Sequence, residues 1–172
     1  MDLSEIFYNG PRIEELFSEK LQNTVLFSNP GTGKTTACLK ILENYDGPKM
    51  FFAADTKFGK DQALELSSVM EYSDNFLVVF DEGVNMTAES QNTLRSLTNN
   101  ENYIFLICTN EIGKMSNILL DRFIKLDCNI PKNESIMNMM KDWLPDNLNE
   151  ILKEENLSFE EVFDFRFNGS MR

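Results

Sequence analysis

TVLFSNPGTGKTT, residues 24–36, decides the fold. Val25 to Phe27 is a short apolar run and reads as a strand. A Gly/Pro loop follows, then Lys34 and two threonines that lead into a helix pattern. Strand, loop and helix in this order carry the phosphate-binding loop signature, with Gly33, Lys34 and Thr35 at its fixed positions. The signature asks for glycine at its first position, and Ser28 stands there. The physical logic otherwise holds. Gly31 and Gly33 let the backbone turn close to a triphosphate, and the helix N-terminus adds free N–H groups and a positive dipole end. Lys34 is placed to reach the β- and γ-phosphates, and the Thr35 hydroxyl to hold Mg²⁺. Pro30 removes one donor but stiffens the start of the turn. Asn29, Pro30, Gly31, Thr32, Gly33, Lys34, Thr35 and Thr36 are thus the expected binding residues for ATP. The ordinary alternative is a Gly-rich turn into an unremarkable helix.

Composition narrows the field. At 172 residues the chain has the length of one domain with room for a sizeable core. Apolar residues make up 42% and include 14 Phe, which indicates a globular chain. No apolar run approaches a membrane span. The acidic start MDLSEIFYNG lacks the apolar stretch of a secretory signal, so a cytoplasmic location is expected. The sequence holds no histidine, which excludes His-based triads and His-ligated zinc. Cys38, Cys108 and Cys128 are widely spaced and read as reduced core thiols. Net charge is −12, so general nucleic-acid binding would need a local basic patch or basic partner subunits.

Outward from the loop, the pattern is one of alternating strands and helices. Ile13, Leu16, Phe17 and Leu21 suggest a helix over residues 11–22. A helix is expected from Lys34 to Tyr45, stopped by Asp46-Gly47-Pro48. Met50 to Ala53 reads as a strand and residues 60–71 as a helix. FLVVF (Phe76 to Phe80) is an unbroken apolar run ending in Asp81-Glu82. Met86 to Leu97 is expected to be helical with Thr87 as its cap. YIFLIC (Tyr103 to Cys108) is a second unbroken run, ending in Thr109-Asn110-Glu111. A short helix over 113–120 and a fifth strand over Phe123 to Leu126 follow. Continuous apolar strands alternating with helices predict an α/β fold with a parallel sheet covered on both faces. Such sheets bind ligands outside the carboxyl ends of their strands, where the loop, Asp81-Glu82 and Asn110 all fall. Pro131 marks a boundary between a 1–130 domain and a 131–172 helical segment, whose many acids read first as a solvated face.

The strand ends suggest a chemistry. Asp81 closes an apolar strand, where a Walker-B aspartate helps hold Mg²⁺. Glu82 is then placed to orient or activate an attacking water. The alternative is a pair of acids capping the next turn. Asn110 ends the neighbouring strand, and its amide can donate to a phosphate oxygen and accept from a water; a turn asparagine is the plainer reading. Arg122 is a candidate arginine finger for the nucleotide of a neighbouring subunit, or else half of an ion pair with Asp121 or Glu111.

These residues resemble the AAA+ ATPases, and within them the small subunits of sliding-clamp loaders, phage ones included. PGTGKTT carries the loop. VVFDEGVNMTAESQNTLRSL is similar to the family's Walker-B strand, Met-Thr turn and following helix. That places Asp81, Glu82, Met86, Thr87, Gln91, Leu94 and Arg95 on family positions. FLICTNEIGKMSNILLDRF is similar to the sensor-1 strand and the segment leading to the finger, placing Asn110 and Arg122. FFAADTKFG resembles the second strand and its turn, with Ala54-Asp55. The resemblance spans roughly residues 20 to 130. It implies a five-stranded AAA+ sheet flanked by helices, with residues 131–172 as a short helical lid-like segment. By the same resemblance Arg172, or Arg166, is a candidate second sensor, and the family's collar domain is not among these residues. It further implies Mg²⁺-dependent ATP hydrolysis within a homo- or hetero-oligomer of AAA+ subunits, acting in DNA replication on a sliding clamp and DNA. The setting is the cytoplasm, that of the host if the chain is phage-encoded. Two other functions fit the loop: a small-molecule kinase, and a nucleotide-binding assembly subunit with little turnover. The chain's five scattered arginines suit a kinase poorly.

Overall fold

The computed structural model describes residues 21–53, 57–129 and 153. The expected helix over 11–22 lies largely outside them, as do Ala54-Asp55 and all but one residue of the 131–172 segment, with Arg166 and Arg172. The described strands are β1 (Thr24–Phe27), β2 (Lys49–Phe52), β3 (Phe76–Phe80), β4 (Tyr103–Thr109) and β5 (Ile124–Asp127). The helices between them are α1 (Lys34–Asn44), α2 (Lys60–Met70), α3 (Ala88–Leu97) and α4 (Asn117–Leu120). The strands form one sheet in the order β2-β3-β4-β1-β5, and every pairing is parallel. This is the five-stranded parallel α/β sheet expected from the sequence.

The unbroken apolar runs follow from burial on both faces. Phe76, Val78 and Phe80 of β3 join Phe105 and Ile107 of β4 on one side, under Leu66 of α2 and Leu94 of α3. Leu77 and Val79 join Leu106 and Cys108 on the other side, under Ala37, Cys38 and Ile41 of α1. Every residue of β3 and β4 is buried. With no solvent face, the period-two polarity of a half-exposed strand has no reason to exist.

The topology positions the site. β1 sits between β4 and β5, so the chain leaves β1 for the far edge at β2, returns through β3 and β4, and crosses β1 to reach β5. The order reverses at β1, and the crevice at its carboxyl end is the standard ligand position of such sheets. Two further contacts brace the neighbouring turns. Phe52, Phe58 and Phe80 cluster with ring centroids 4.8–4.9 Å apart. Phe58 O accepts from Thr87 N at 3.1 Å and from the buried Ser90 hydroxyl at 2.9 Å. The chain after β2 is thereby tied to the start of α3.

Two helices differ from expectation. α3 begins at Ala88, because Met86 is extended and bridges Phe58. Thr87 is its cap, accepting from Ser90 N at 3.2 Å. The expected helix over 113–120 is broken in two, a single 3₁₀ turn at Ile112–Lys114 and then α4. Met115 is extended and 4% exposed, and Ser116 N donates to Gln91 Oε1 at 2.8 Å. A helix through this point would lose that bond and withdraw Met115 from the core. Among the described residues no helix is long and apolar enough to cross a membrane.

Candidate nucleotide site

The loop after β1 turns through left-handed backbone at Gly31 and Gly33, with φ of 83° and 89°. Side chains at either position would be strained. α1 starts directly after Gly33 and carries no side-chain cap. Its first-turn N–H groups are therefore left for a ligand. Lys34 folds back over the loop and is 6% exposed. Its ammonium donates to Ser28 O at 3.1 Å, Asn29 O at 3.0 Å and Ser28 Oγ at 2.9 Å.

Thr35 and Asp81 are 46 residues apart in sequence and meet at the cleft, with Thr35 Oγ1 donating to Asp81 Oδ1 at 2.8 Å. β3 lies two strands from β1, so only the sheet order brings them together. Beyond Asp81 the chain turns sharply. Glu82 takes a left-handed conformation, φ 58° and ψ 64°, which a non-glycine residue adopts at a cost. Gly83 enforces the turn, since a Cβ there would lie 2.3 Å from Ile107 Cγ2 of β4. The turn carries Glu82 towards Asn110, whose Nδ2 donates to Glu82 Oε2 at 2.9 Å.

These groups border a single cleft of about 370 Å³. Pro30, Gly31, Gly33, Lys34, Thr35 and Thr36 line it from the loop, and Asp81, Glu82 and Asn110 from the strand ends. Two expected loop residues do not line it. Asn29 N donates to Asn129 Oδ1 at 2.9 Å, and the Thr32 hydroxyl turns back to hydrogen-bond Ser28 Oγ. Cys108 and Thr109 also line the cleft and were not anticipated. Asn129, just past β5, was missed as well, because only the pairing of β5 with β1 brings it to the loop.

Arg122 is not in the cleft. It lies at the opposite end of the sheet, exposed, with its guanidinium hydrogen-bonded to Asn99 Oδ1. It borders a second cleft of about 520 Å³ formed by the chain before β1, β4 and β5. The ion pair considered for it is absent among the described residues; Glu111 pairs instead with Lys114 at 2.7 Å. Four residues of β5 alone put about 13 Å between the two ends. Arg122 therefore does not reach its own chain's cleft.

Burial pushes the Lys34 pKa down from its ordinary 10.5, while nearby acidic groups, Glu82 and Asp81 among them, oppose the shift. Burial pushes the Cys128 thiol up to about 12. Cys108 is also pushed up, by its hydrogen bond with Cys38 and by burial. All three cysteines are buried and outside any disulfide, consistent with core thiols.

The residues fit a magnesium nucleotide. A Cβ added at Gly31 would meet nothing within 4 Å, so a ligand can approach the backbone there. Thr35 and Asp81 offer the hard oxygens Mg²⁺ prefers, and two protein oxygens are a normal share when phosphates and water complete the shell. Among the described residues no group of three or more His, Cys, Asp or Glu forms a metal site on its own.

No protein-family model matches the chain, and no curated protein is detectably similar to it. Solved structures are similar. A DNA polymerase III gamma subunit-related protein from Thermotoga maritima superposes with TM-score 0.60 at 12% identity, over 83% of this chain and 53% of that one. Two RuvB variants from the same organism give 0.58 at 16% identity and 0.59 at 17%. They are matched over 81% and 77% of this chain, and over 49% and 47% of theirs. The chain thus spans about half the length of these relatives. The fold is that of a P-loop NTPase of the AAA+ type: a five-stranded parallel sheet flanked by helices.

Proposed function

We propose that the chain binds ATP with Mg²⁺ at the cleft beside β1 and hydrolyses it as one subunit of an oligomer of clamp-loader type. The observation that carries this reading is the Thr35–Asp81 hydrogen bond beside Lys34, with Glu82 and Asn110 on the same cleft. A bare phosphate-binding turn has no need of acids from another strand.

In this reading Lys34 and the first-turn N–H groups of α1 hold the phosphates, and Thr35 and Asp81 hold the cation. Bound Mg²⁺ supplies neutralisation of the charge that develops on the phosphate oxygens. Glu82 orients a water in line with the γ-phosphorus and takes up its proton as the new P–O bond forms and the bond to ADP breaks. Asn110 already bonds the Glu82 carboxylate and fixes its direction. Among the described residues no arginine lines the cleft. Arg122 of a second copy completes it, since each chain carries the cleft at one end of its sheet and this arginine at the other. The gamma subunit-related neighbour supports a place in DNA replication, with a sliding clamp and DNA as partners and the cytoplasm, or a phage host's cytoplasm, as the setting.

That no arginine stands among the described residues of the cleft's lining also favours a second reading, a subunit that binds ATP and turns it over little. It disfavours a small-molecule kinase, which needs cations around a transferred phosphate. Steady-state phosphate release with Mg²⁺, with and without primed DNA, separates the three. Specific activity that rises with protein concentration supports the proposal. Tight binding without release supports the second reading, and release only with an added phosphate acceptor supports the kinase.

A further inference from the structure

The ammonium of Lys34 has three hydrogens, and all three have acceptors inside the loop. Two are the carbonyl oxygens of Ser28 and Asn29, fixed by the backbone of a tight turn. The third is Ser28 Oγ, which moves by rotation about one bond. Ser28 is 2% exposed and Lys34 6%, so water serves little of either. A phosphate oxygen that takes a hydrogen from Lys34 can displace the hydroxyl without remodelling the loop; displacing a carbonyl requires remodelling. The displaced hydroxyl keeps a partner, because it also hydrogen-bonds Thr32 Oγ1. That threonine hydroxyl in turn reaches Asn29 O at 3.3 Å. Glycine, which the loop signature expects here, has no such atom.

From this geometry we infer that Ser28 is a positioning residue that sets affinity for the polyphosphate of a nucleotide: its hydroxyl competes with phosphate for Lys34. The inference rests on the cleft being a nucleotide site. It accounts for the one departure from the loop signature. The ammonium has a full set of partners at a buried position, where an unmet donor is costly. The cost is a weaker grip on phosphate than a glycine loop would have.

The test is titration of the full chain and of S28A, S28G and S28T with Mg-ATP and, separately, with tripolyphosphate. Thermal melting first establishes that each variant is folded. S28A and S28G should bind both ligands about three- to tenfold more tightly than the wild type, the worth of one exchanged hydrogen bond. S28T, which keeps the hydroxyl, should return towards wild-type affinity. Unchanged or weaker binding by S28A overturns the inference. Tighter binding by S28G but not S28A also overturns it, since that assigns the effect to glycine's backbone freedom. A wild type that binds neither ligand removes the nucleotide reading and the inference together; a wild type that binds, with S28A identical to it, removes the inference alone.

Discussion

The two ends of the sheet are built from the same strands and differ in almost every other respect. At the carboxyl ends, side chains from β1, β3 and β4 turns converge. Lys34 is buried, Thr35 bonds Asp81, and Asn110 bonds Glu82. At the amino ends, Arg122 is exposed and makes a bond to Asn99 from an adjoining loop. Among the described residues, one end is an organised site without an arginine in its lining, and the other presents Arg122 away from the phosphate-binding loop. Under the proposed function the two ends are complementary halves of one site. Head-to-tail stacking of copies would bring one chain's amino-end surface to the next chain's cleft, a heterologous contact of the kind that builds rings.

The comparison is broken most severely at the arginine. R122A should lower phosphate release by about 10³- to 10⁵-fold, the usual worth of an arginine finger, with ATP affinity nearly intact. Equal loss of binding and turnover would remove the finger role. At the other end, E82Q should lower turnover by about 10²- to 10⁴-fold, as loss of a general base does, with ATP still bound. Single-turnover kinetics with a direct binding titration separate the two quantities. If E82Q hydrolyses ATP at the wild-type rate, the water is oriented by another group.

A smaller effect is expected from G83A. Its Cβ would meet Ile107 of β4, and the overpacking should cost about 1–3 kcal/mol in chemical denaturation. The strain is released by moving the turn that carries Glu82, so turnover should fall more than ATP affinity. A variant as stable and active as the wild type would show that this turn does not hold Glu82.

The smallest effect is a pH dependence. Burial depresses the folded pKa of Lys34 below 10.5, so between the lowered value and 10.5 the unfolded chain binds more protons than the folded one. Lys34 therefore contributes a rise in folding stability as pH climbs through that interval. ATP affinity has the opposite sign. Phosphate needs the ammonium, so binding should weaken as pH rises through the depressed pKa, with the fall beginning below 10.5. Calorimetric titration across the alkaline range reads this. K34R, which stays protonated, should flatten the profile even if its overall affinity is lower.

Much of this arrangement was legible in the sequence, for identifiable reasons. FLVVF and YIFLIC, short unbroken apolar runs between helix patterns, read as strands buried on both faces, and both are. A P-loop and a strand-end Asp81-Glu82 have to meet if the sheet is parallel and β1 is internal, and Thr35 and Asp81 do meet. What escaped depends on contacts between distant residues. Ser116 in MSN at 115–117 is a cap-type residue that begins α4, but the bond from its N–H to Gln91, 25 residues away, has no local sequence signal. Ser28 looked like a blemish in a motif, because its partner is the side chain of Lys34 and side-chain direction has no sequence signal. Asn129, 100 residues from Asn29, is adjacent only because β5 pairs with β1. The ion pair considered as the alternative to a finger role for Arg122 is replaced by a bond to the amide of Asn99.

Mixing two inactive variants tests the central claim most directly. E82Q has a dead cleft and an intact Arg122; R122A has an intact cleft and no arginine to offer. Each alone should release phosphate at a background rate. Combined in equal amounts with Mg-ATP, they should regain a substantial fraction of wild-type turnover, because E82Q chains lend Arg122 to R122A clefts. A mixture that remains at the sum of its inactive parts would contradict completion of the cleft from a second copy.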